Sequence, residues 1–530
     1  MPPAFAWPRR IEWIAAGLLV AVAISMHVEF ARNAGGLWRD EAHTAVLAIQ
    51  TPPAELRAAL GRDSFPVLST LVLGAWTRTG WGASRTGLRT YGALVGLGIL
   101  AALVVAAHGL GGSSPLVALV LVGLSPLLIR VGGSIRPYGL GMLLILLAVP
   151  ALWRLVRQPT RVSVAWAAGV SLLSVHCLYQ NAALLLGLGL GAASACLLRG
   201  QPRRAALVLG ICGVAALSLL PYLPIVLVAR ECGVLVQTPL GLADIAAVTG
   251  DALRSASPLG SPLWMGAGVA ALPIALWARR RVGLDADLAL FCGTTIVVST
   301  IAFVGFLLTA SAHLKPWYVL PLLVVVAVCL NGALGAGRSV PAAAARVVVA
   351  LAIAAAFLPG AWRALQVRQT NLDLVAADIE ATAAPDDLIV VQPWYLGVGF
   401  AYHYDGPTPW TTLPPLADLS LHRTDLVKAE LAKEDPIRPV LDRIERALER
   451  GRTVWVVGAL PSLPASPPPA LGAAPHARYG WAVGRWEADW ARRTAGFLAA
   501  AGARGRPHPV SPGLRVLRYE DVRVTRFARP

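Results

Sequence analysis

The stretch "GGLWRDEAHTAVLA", residues 35–48, directly follows the first apolar run of the chain and places Arg39, Asp40, Glu41 and His43 within five positions. Charged residues make up only 14% of the 530-residue sequence, and hydrophobic ones 56%. A soluble globular domain averages ~45–50% apolar residues, so this composition belongs to a polytopic membrane protein. Ionisable groups are costly at membrane depth and are usually functional there. Neighbouring residues on a helix point about 100° apart. Asp40 and Glu41 therefore cannot aim at one atom: one acts while the other orients.

Outward from this stretch, apolar runs near the ~20 residues that span a bilayer recur at 11–30, 65–82, 90–109, 114–130, 137–153, 162–179, 182–198, 205–228, 262–278, 287–310, 316–335 and 342–361. Arginine-rich linkers mark the inner side: "PRR" at 8–10, "RLVRQPTR" at 154–161, "RGQPRR" at 199–204, "ARRR" at 278–281 and "GAGRS" at 335–339. Residues 1–31, with Arg9 and Arg10 before an apolar core, read as an uncleaved first span, because no small-x-small cleavage site follows before Trp38. The amino terminus is thus expected in the cytoplasm of a plasma-membrane protein. "WRDEAH" and "GGSIRPYGL" (132–140) then both lie outside, yet an odd number of apolar runs separates them. The run 114–130, preceded by "GLGGSSP" and containing Pro126, is expected to be kinked or re-entrant. The fold class is an all-α polytopic bundle of about 11–13 membrane helices.

The net charge of +17 is accounted for by the inner loops, so no nucleic-acid partner is expected. Of the six cysteines, Cys177, Cys196, Cys212, Cys292 and Cys329 lie in apolar runs and behave as small hydrophobes, with no metal or disulfide spacing.

Residues 362–530 change character, and the chain divides into a membrane domain (1–361, including a first outer loop at about 31–64) and a carboxy-terminal domain. "DLIVV" (387–391) and "RTVWVVG" (452–458) read as buried strands. "DPIRPVLDRIERALERG" (435–451) reads as an amphipathic helix with Val440, Ile444 and Leu448 on one face, and a further helix is expected around 484–502. Alternating strands and helices predict a small α/β domain, and sidedness places it outside the cytoplasm.

The same topology gathers Arg39, Asp40, Glu41, His43, Asp63, Arg136, Tyr138, His176, Tyr179, Gln180, Asn181, His313, Lys315 and Tyr318 at the outer membrane edge. A carboxylate at the edge of a low-dielectric medium is a stronger base. Arg136, His313 and Lys315 can hold an anionic head group, above all a phosphate. Asp40 and Glu41 are also the residues for a divalent cation, although two adjacent carboxylates do not require one. The structural alternative for Asp40 is a capping role on a helix beginning near Glu41.

"LWRDEAHTAVLA" resembles the first outer loop of the GT-C class of integral-membrane glycosyltransferases, in the branch of protein O-mannosyltransferases and aminoarabinose transferases, which carries an Asp-Glu pair just after its first span. "RDSFPVLSTLVLGAWTRTGWGASRTGLRTYGALVG" (62–96) resembles the second span of that branch. "SPLLIRVGGSIRPYGLGMLLILLA" (125–148) resembles its outer arginine-bearing segment, and "KPWYVLPLLVVVA" (315–327) its late Arg-Tyr segment. The resemblance covers roughly residues 10–360. It implies transfer of a sugar, hexose or pentose, from a polyprenyl-phosphate carrier to an extracytoplasmic glycan, lipid or protein of the cell envelope, with inversion at the anomeric centre. It implies Asp40 as the general base, with Glu41 beside it, and the residues expected to bind substrate are Arg39, His43, Asp63, Arg136, Tyr138, His176, His313, Lys315 and Tyr318. The sequence departs from the branch at Ser64-Phe65-Pro66-Val67, at Arg136-Pro137-Tyr138 where some members have a second acid, and at Lys315, often Arg. The competing class is a transporter or flippase of lipid-linked or small polar substrates. Its site is expected at the midplane rather than at one edge, and in a repeated architecture.

Overall fold

The computed structural model describes residues 6–50, 55–63, 65–232, 240–279, 284–310, 314–336, 339–462, 469–475 and 482–530. These form two compact units. One comprises Met1–Arg32, Phe65–Leu223 and Leu240–Gln366; the other comprises Asn33–Ser64, Pro224–Pro239 and Val367–Pro530. Residues 33–64, which the sequence groups with the membrane domain, thus pack with the carboxy-terminal part of the chain.

The first unit is helical. Among the described residues, eight helices are long and apolar enough to cross a membrane: Arg9–Asn33, Arg85–Gly109, Pro137–Arg157, Asn181–Leu198, Pro202–Leu227, Ala286–Ala310, Pro316–Gly335 and Val340–Leu365. The protein is a multi-pass membrane protein with an all-α membrane part. The expected eleven to thirteen spans differ from these eight for local reasons. Leu68–Thr77 and Arg161–Val175 are apolar but shorter, and Gly260–Arg279 is a further helix. The run 114–130 is broken into Leu116–Ala118, a π-helical turn at Leu119–Gly123 and Pro126–Gly132.

The break has identifiable causes. Pro126 cannot continue a helix from the preceding turn, and Ser125 caps the new one by accepting from the Leu128 N–H at 3.3 Å. The start of the broken segment is held by Asn331 of helix Leu320–Gly335. Its Oδ1 accepts from the N–H groups of Val117 (3.0 Å) and Ala118 (3.2 Å), and its Nδ2 donates to Ser113 Oγ and the Ser114 carbonyl. Lipid offers no partner for free backbone groups, so this buried side chain supplies what the interrupted helix lacks.

Small residues set the tightest helix pair. On Asn181–Leu198, a Cβ at Gly191 would fall 2.5 Å from Thr295 Oγ1, and Gly187 faces Ser299 in the same way. With no hydrophobic drive between helices in lipid, close backbone approach of this kind is what holds them together.

The second unit is a three-layer α/β structure. Its strands are β1 (Val367–Arg368), β2 (Leu388–Val391), β3 (Trp410–Thr412), β4 (Val454–Val457), β5 (Arg504–His508), β6 (Arg515–Val516) and β7 (Val524–Ala528). Five form one sheet in the order β3-β2-β4-β7-β5, with β3, β2 and β4 parallel and β7 antiparallel to both its neighbours. β1 and β6 form a separate parallel pair. Side chains alternate across the sheet as strand geometry requires. Leu388, Val390, Val454 and Val456 face helices Arg438–Glu449 and Gly484–Ala500 on one side. Ile389, Val391, Trp455 and Val457 face helices Leu372–Thr382 and Leu396–His403 on the other. Val440, Ile444 and Leu448 are buried, as the amphipathic pattern demands.

Candidate active site

The segment "GGLWRDEAH" is built into the second unit at both ends. The Gln369 N–H donates to the Ala34 carbonyl at 2.9 Å, and Gly35 bridges to Thr370. Arg368 grips both oxygens of Asp373, at 2.9 and 2.8 Å, and this ion pair lies against Gly35 and Gly36. A Cβ on Gly36 would come 2.6 Å from the Asp373 carboxyl carbon. The glycines are therefore required by the close approach of a charged pair. Helix Arg39–Ile49 then packs on Leu396–His403, with His403 Nε2 donating to the Leu37 carbonyl at 2.9 Å.

Trp38 occupies the N-cap position and Arg39 begins the helix. Asp40 is the second helical residue, so the alternative in which it caps a helix starting near Glu41 does not hold. The two carboxylates diverge as the helical pitch requires: Asp40 is a quarter exposed, and Glu41 is fully buried. They do not converge on one point. Among the described residues no group of three or more His, Cys, Asp or Glu is arranged to hold a metal ion.

Around Asp40 the chain assembles a charged cluster. Arg39 Nε lies 3.5 Å from Asp40 Oδ1 and 3.5 Å from Glu520 Oε1, and its guanidinium stands 4.5 Å above the Tyr395 ring. His422 Nε2 is 3.4 Å from Asp40 Oδ1. The rings of His422 and His43 stack, and the His422 backbone N–H donates to His43 Nδ1 at 3.0 Å. That nitrogen accepts and so carries no proton, which puts the ring proton on Nε2, 3.7 Å from Asp63 Oδ1. Glu487, nearby in the field of Arg39, accepts from Trp394 Nε1 at 2.8 Å.

Burial dominates the electrostatics. It pushes the Glu520 carboxyl up to about 7, against the pull of Arg39. It pushes His422 down to about 4, although Asp40 acts in the opposite direction. Glu487 is also raised by burial, and its bond from Trp394 and the charge of Arg39 oppose the rise. For Arg39, burial would lower the pKa, but the carboxylates of Asp40 and Glu520 outweigh it and the net shift is upward.

A second cluster forms in the first unit. Arg136 holds the N-cap position of Pro137–Arg157, and Lys315 that of the turn Pro316–Val319, which runs into Leu320–Gly335. Each cation thus heads a helix whose free N–H groups and dipole favour an anion. The next aromatic residues meet: Tyr138 and Tyr318 lie edge to face with centroids 5.8 Å apart. Phe65 packs on Tyr138 at 5.1 Å, and the Arg136 guanidinium lies 4.8 Å from the Phe65 centroid. Gln180 Nε2 donates to the Tyr318 carbonyl at 3.4 Å.

Of the residues expected at the outer edge, Arg39, Asp40, His43 and Asp63 come together in the second unit, and Arg136, Tyr138, Lys315 and Tyr318 in the first. His176 belongs to a hydroxyl cluster, with its ring nitrogens 3.2 Å from the Tyr222 hydroxyl and 3.0 Å from Ser218 Oγ. Asn181 serves the backbone, donating to the carbonyls of Gly141 and Ser174. His313 lies outside the described residues. Sequence reading missed His422, Glu520, Tyr395 and Glu487. Only Tyr395 had a local signal, because it follows the carboxyl end of β2, where open α/β sheets place their ligand-contacting residues.

No protein-family model matches the chain, and no curated protein matches it by sequence. Solved structures do. ArnT from Cupriavidus metallidurans, bound to undecaprenyl phosphate, superposes with a TM-score of 0.50 at 15% identity, over 83% of this chain and 92% of that one. The oligosaccharyltransferase of Archaeoglobus fulgidus gives 0.48 at 12%, over 84% and 69%. The mycobacterial arabinofuranosyltransferase AftD gives 0.44 at 16%, over 98% and 40%. The last two scores are too low to bear an argument. The first shows that the chain has the fold of a GT-C glycosyltransferase, the class to which the sequence motifs point.

Proposed function

We propose that the protein is an inverting membrane glycosyltransferase that moves a sugar from a polyprenyl-phosphate carrier to an extracytoplasmic acceptor of the cell envelope. The observation that carries this reading is the convergence of two cation-headed helix starts, Arg136-Pro137-Tyr138 and Lys315-Pro316-Trp317-Tyr318, through their tyrosine rings. A lipid-borne phosphate in a dry setting needs paired charge, and these two ends supply guanidinium, ammonium and helix dipole together. The GT-C fold and the ArnT structure with undecaprenyl phosphate support the same donor class.

In this reading Asp40 takes the proton of the acceptor hydroxyl as the acceptor oxygen bonds to the anomeric carbon. The bond from that carbon to the phosphate oxygen breaks, and its electron pair leaves with the phosphate, whose charge Arg136 and Lys315 offset. The amino terminus is cytoplasmic, the second unit is extracytoplasmic, and the membrane is the plasma membrane. The sugar is a hexose or pentose and the acceptor a glycan, lipid or protein.

The test is release of undecaprenyl phosphate from undecaprenyl-phosphate mannose and undecaprenyl-phosphate arabinose by the full chain in nanodiscs supplied with a cell-envelope extract as acceptor. Removing a general base costs ~10²–10⁴-fold in rate, so Asp40→Asn should abolish detectable release while the protein stays folded. Normal turnover by the Asn variant would remove Asp40 from the role.

A further inference from the structure

A carboxylate works as a base only when its oxygens are held to within about 0.5 Å of the productive position. Asp40 is a poor candidate for holding itself: it sits in the first turn of a short helix and is a quarter exposed. Two neighbouring side chains reach it. Oδ1 is approached from two sides, by Arg39 Nε at 3.5 Å and by His422 Nε2 at 3.4 Å.

His422 is fixed more firmly than an exposed loop residue would be. Leu421 is buried in an apolar cluster with Val46, Leu47 and Ala59, which pins this loop to helix Arg39–Ile49. Arg423 ties the loop to itself by bonding Asp418 and Asp425. The His422 backbone N–H donates to His43 Nδ1, and the two rings stack at 5.0 Å. His43 in turn directs its Nε2 proton at Asp63. The order of contacts is Asp63, His43, His422, Asp40.

We infer that His422 is a positioning residue, its imidazole Nε2 setting the rotation of the Asp40 carboxylate while His43 and Asp63 set His422. This rests on the reading of Asp40 as general base. The titratable and charged groups facing the ring are Asp40, His43 and Arg39, with Asp63 behind His43. Burial keeps the imidazole neutral at neutral pH. Nε2 is buried, has no hydrogen-bond partner among the described residues and stands 3.4 Å from Asp40 Oδ1, so a small turn of the carboxylate closes that bond and fixes its rotation. A neutral ring does this without adding a second cation beside Arg39. Asp63 and His43, read from sequence as substrate-binding, become the support of this arrangement.

The experiment uses the full chain in nanodiscs with a cell-envelope extract as acceptor, and release of undecaprenyl phosphate from the mannose- and arabinose-linked carriers as the readout. His422→Phe keeps a stacking ring and removes the donor. It should lower kcat by roughly 100-fold, the usual cost of a misplaced catalytic group, with KM for the donor unchanged. His422→Gln places an amide N–H near the former Nε2 and should recover all but a few-fold of the loss. Wild-type kcat in the Phe variant, or a Gln variant as slow as Phe, overturns the inference. If the wild type releases undecaprenyl phosphate from neither carrier, the transferase reading fails for these donors. The pairing is then decided by ¹⁵N NMR of the histidine rings. Asp40→Asn should shift the His422 signals, and unmoved signals overturn the inference.

Discussion

His43 and His422, 379 residues apart in sequence, lie ring on ring with centroids 5.0 Å apart and planes 19° from parallel. The stack brings a carboxy-terminal imidazole to helix Arg39–Ile49 and, through Arg39, into one cluster with Glu520.

That cluster predicts an unusual pH dependence. His422 falls from 6.5 to about 4 on folding, and Glu520 rises from 4.5 to about 7. Between pH 4.5 and 6.5 the unfolded chain therefore protonates the histidine and the folded chain protonates the glutamate. For these two groups the proton count is equal in both states, and their combined contribution to stability is flat. Single substitutions separate them. In Glu520→Gln the depressed histidine remains: the unfolded state binds more protons, so stability should climb as pH rises from 4 to 6.5. In His422→Phe the raised carboxyl remains, and stability should fall as pH rises from 4.5 to 7. Each arm is worth at most about 3.4 kcal/mol. Thermal unfolding of the purified protein across this range measures both slopes, and parallel curves for the two variants would contradict the assignment.

Gly36→Ala should destabilise the second unit by ~1–3 kcal/mol, the usual result of forcing a carbon into filled space. The new methyl meets the Asp373 carboxyl at 2.6 Å and must displace its bidentate pair with Arg368. Limited proteolysis and thermal unfolding should show the loss, and an unchanged melting temperature would mean that the pair swings aside freely.

Asn331→Leu should destabilise the membrane unit by about 2–4 kcal/mol, because it orphans the Val117 and Ala118 N–H groups and the Ser114 carbonyl in a buried place. Hydrogen exchange at residues 114–123 should rise before global unfolding does. Equal protection in the two proteins would show that another group takes over.

Arg136→Ala should weaken binding of undecaprenyl-phosphate mannose more than Arg136→Lys does, since Lys keeps the charge but loses the planar fork that pairs with phosphate oxygens. Direct binding to the protein in nanodiscs measures this. Equal affinity in wild type and both variants would remove Arg136 from phosphate handling.

What was legible in the sequence follows from how far each signal reaches. β2, β4 and the helices Arg438–Glu449 and Gly484–Ala500 stand where apolar runs and a 3.6-residue period put them, because each buries its own face. The broken run at 114–130 announced itself through glycines and Pro126. β5 and β7 did not: "RGRPH" is an exposed edge strand with no apolar alternation, and "VTRFA" is paired by neighbours distant in sequence. The carboxylate cluster was half visible. Asp40, His43 and Asp63 stand within one loop, whereas His422 and Glu520 are single polar residues in unremarkable surroundings, given meaning only by tertiary contact.

The packing of residues 33–64 with residues 367–530 has a temporal side. Chains grow at ~5–20 residues per second, so the helix bearing Asp40 emerges roughly 20–75 seconds before His422 exists. Through that interval the nascent loop has neither its partner helix nor its stacking ring. The charged cluster can assemble only after the intervening membrane helices have been made. A ribosome that stalls before residue 422, or a protease that clips the later segment, leaves a product with an anchor and an aspartate but no histidine beside it. Competence for the proposed chemistry is thereby tied to completed synthesis.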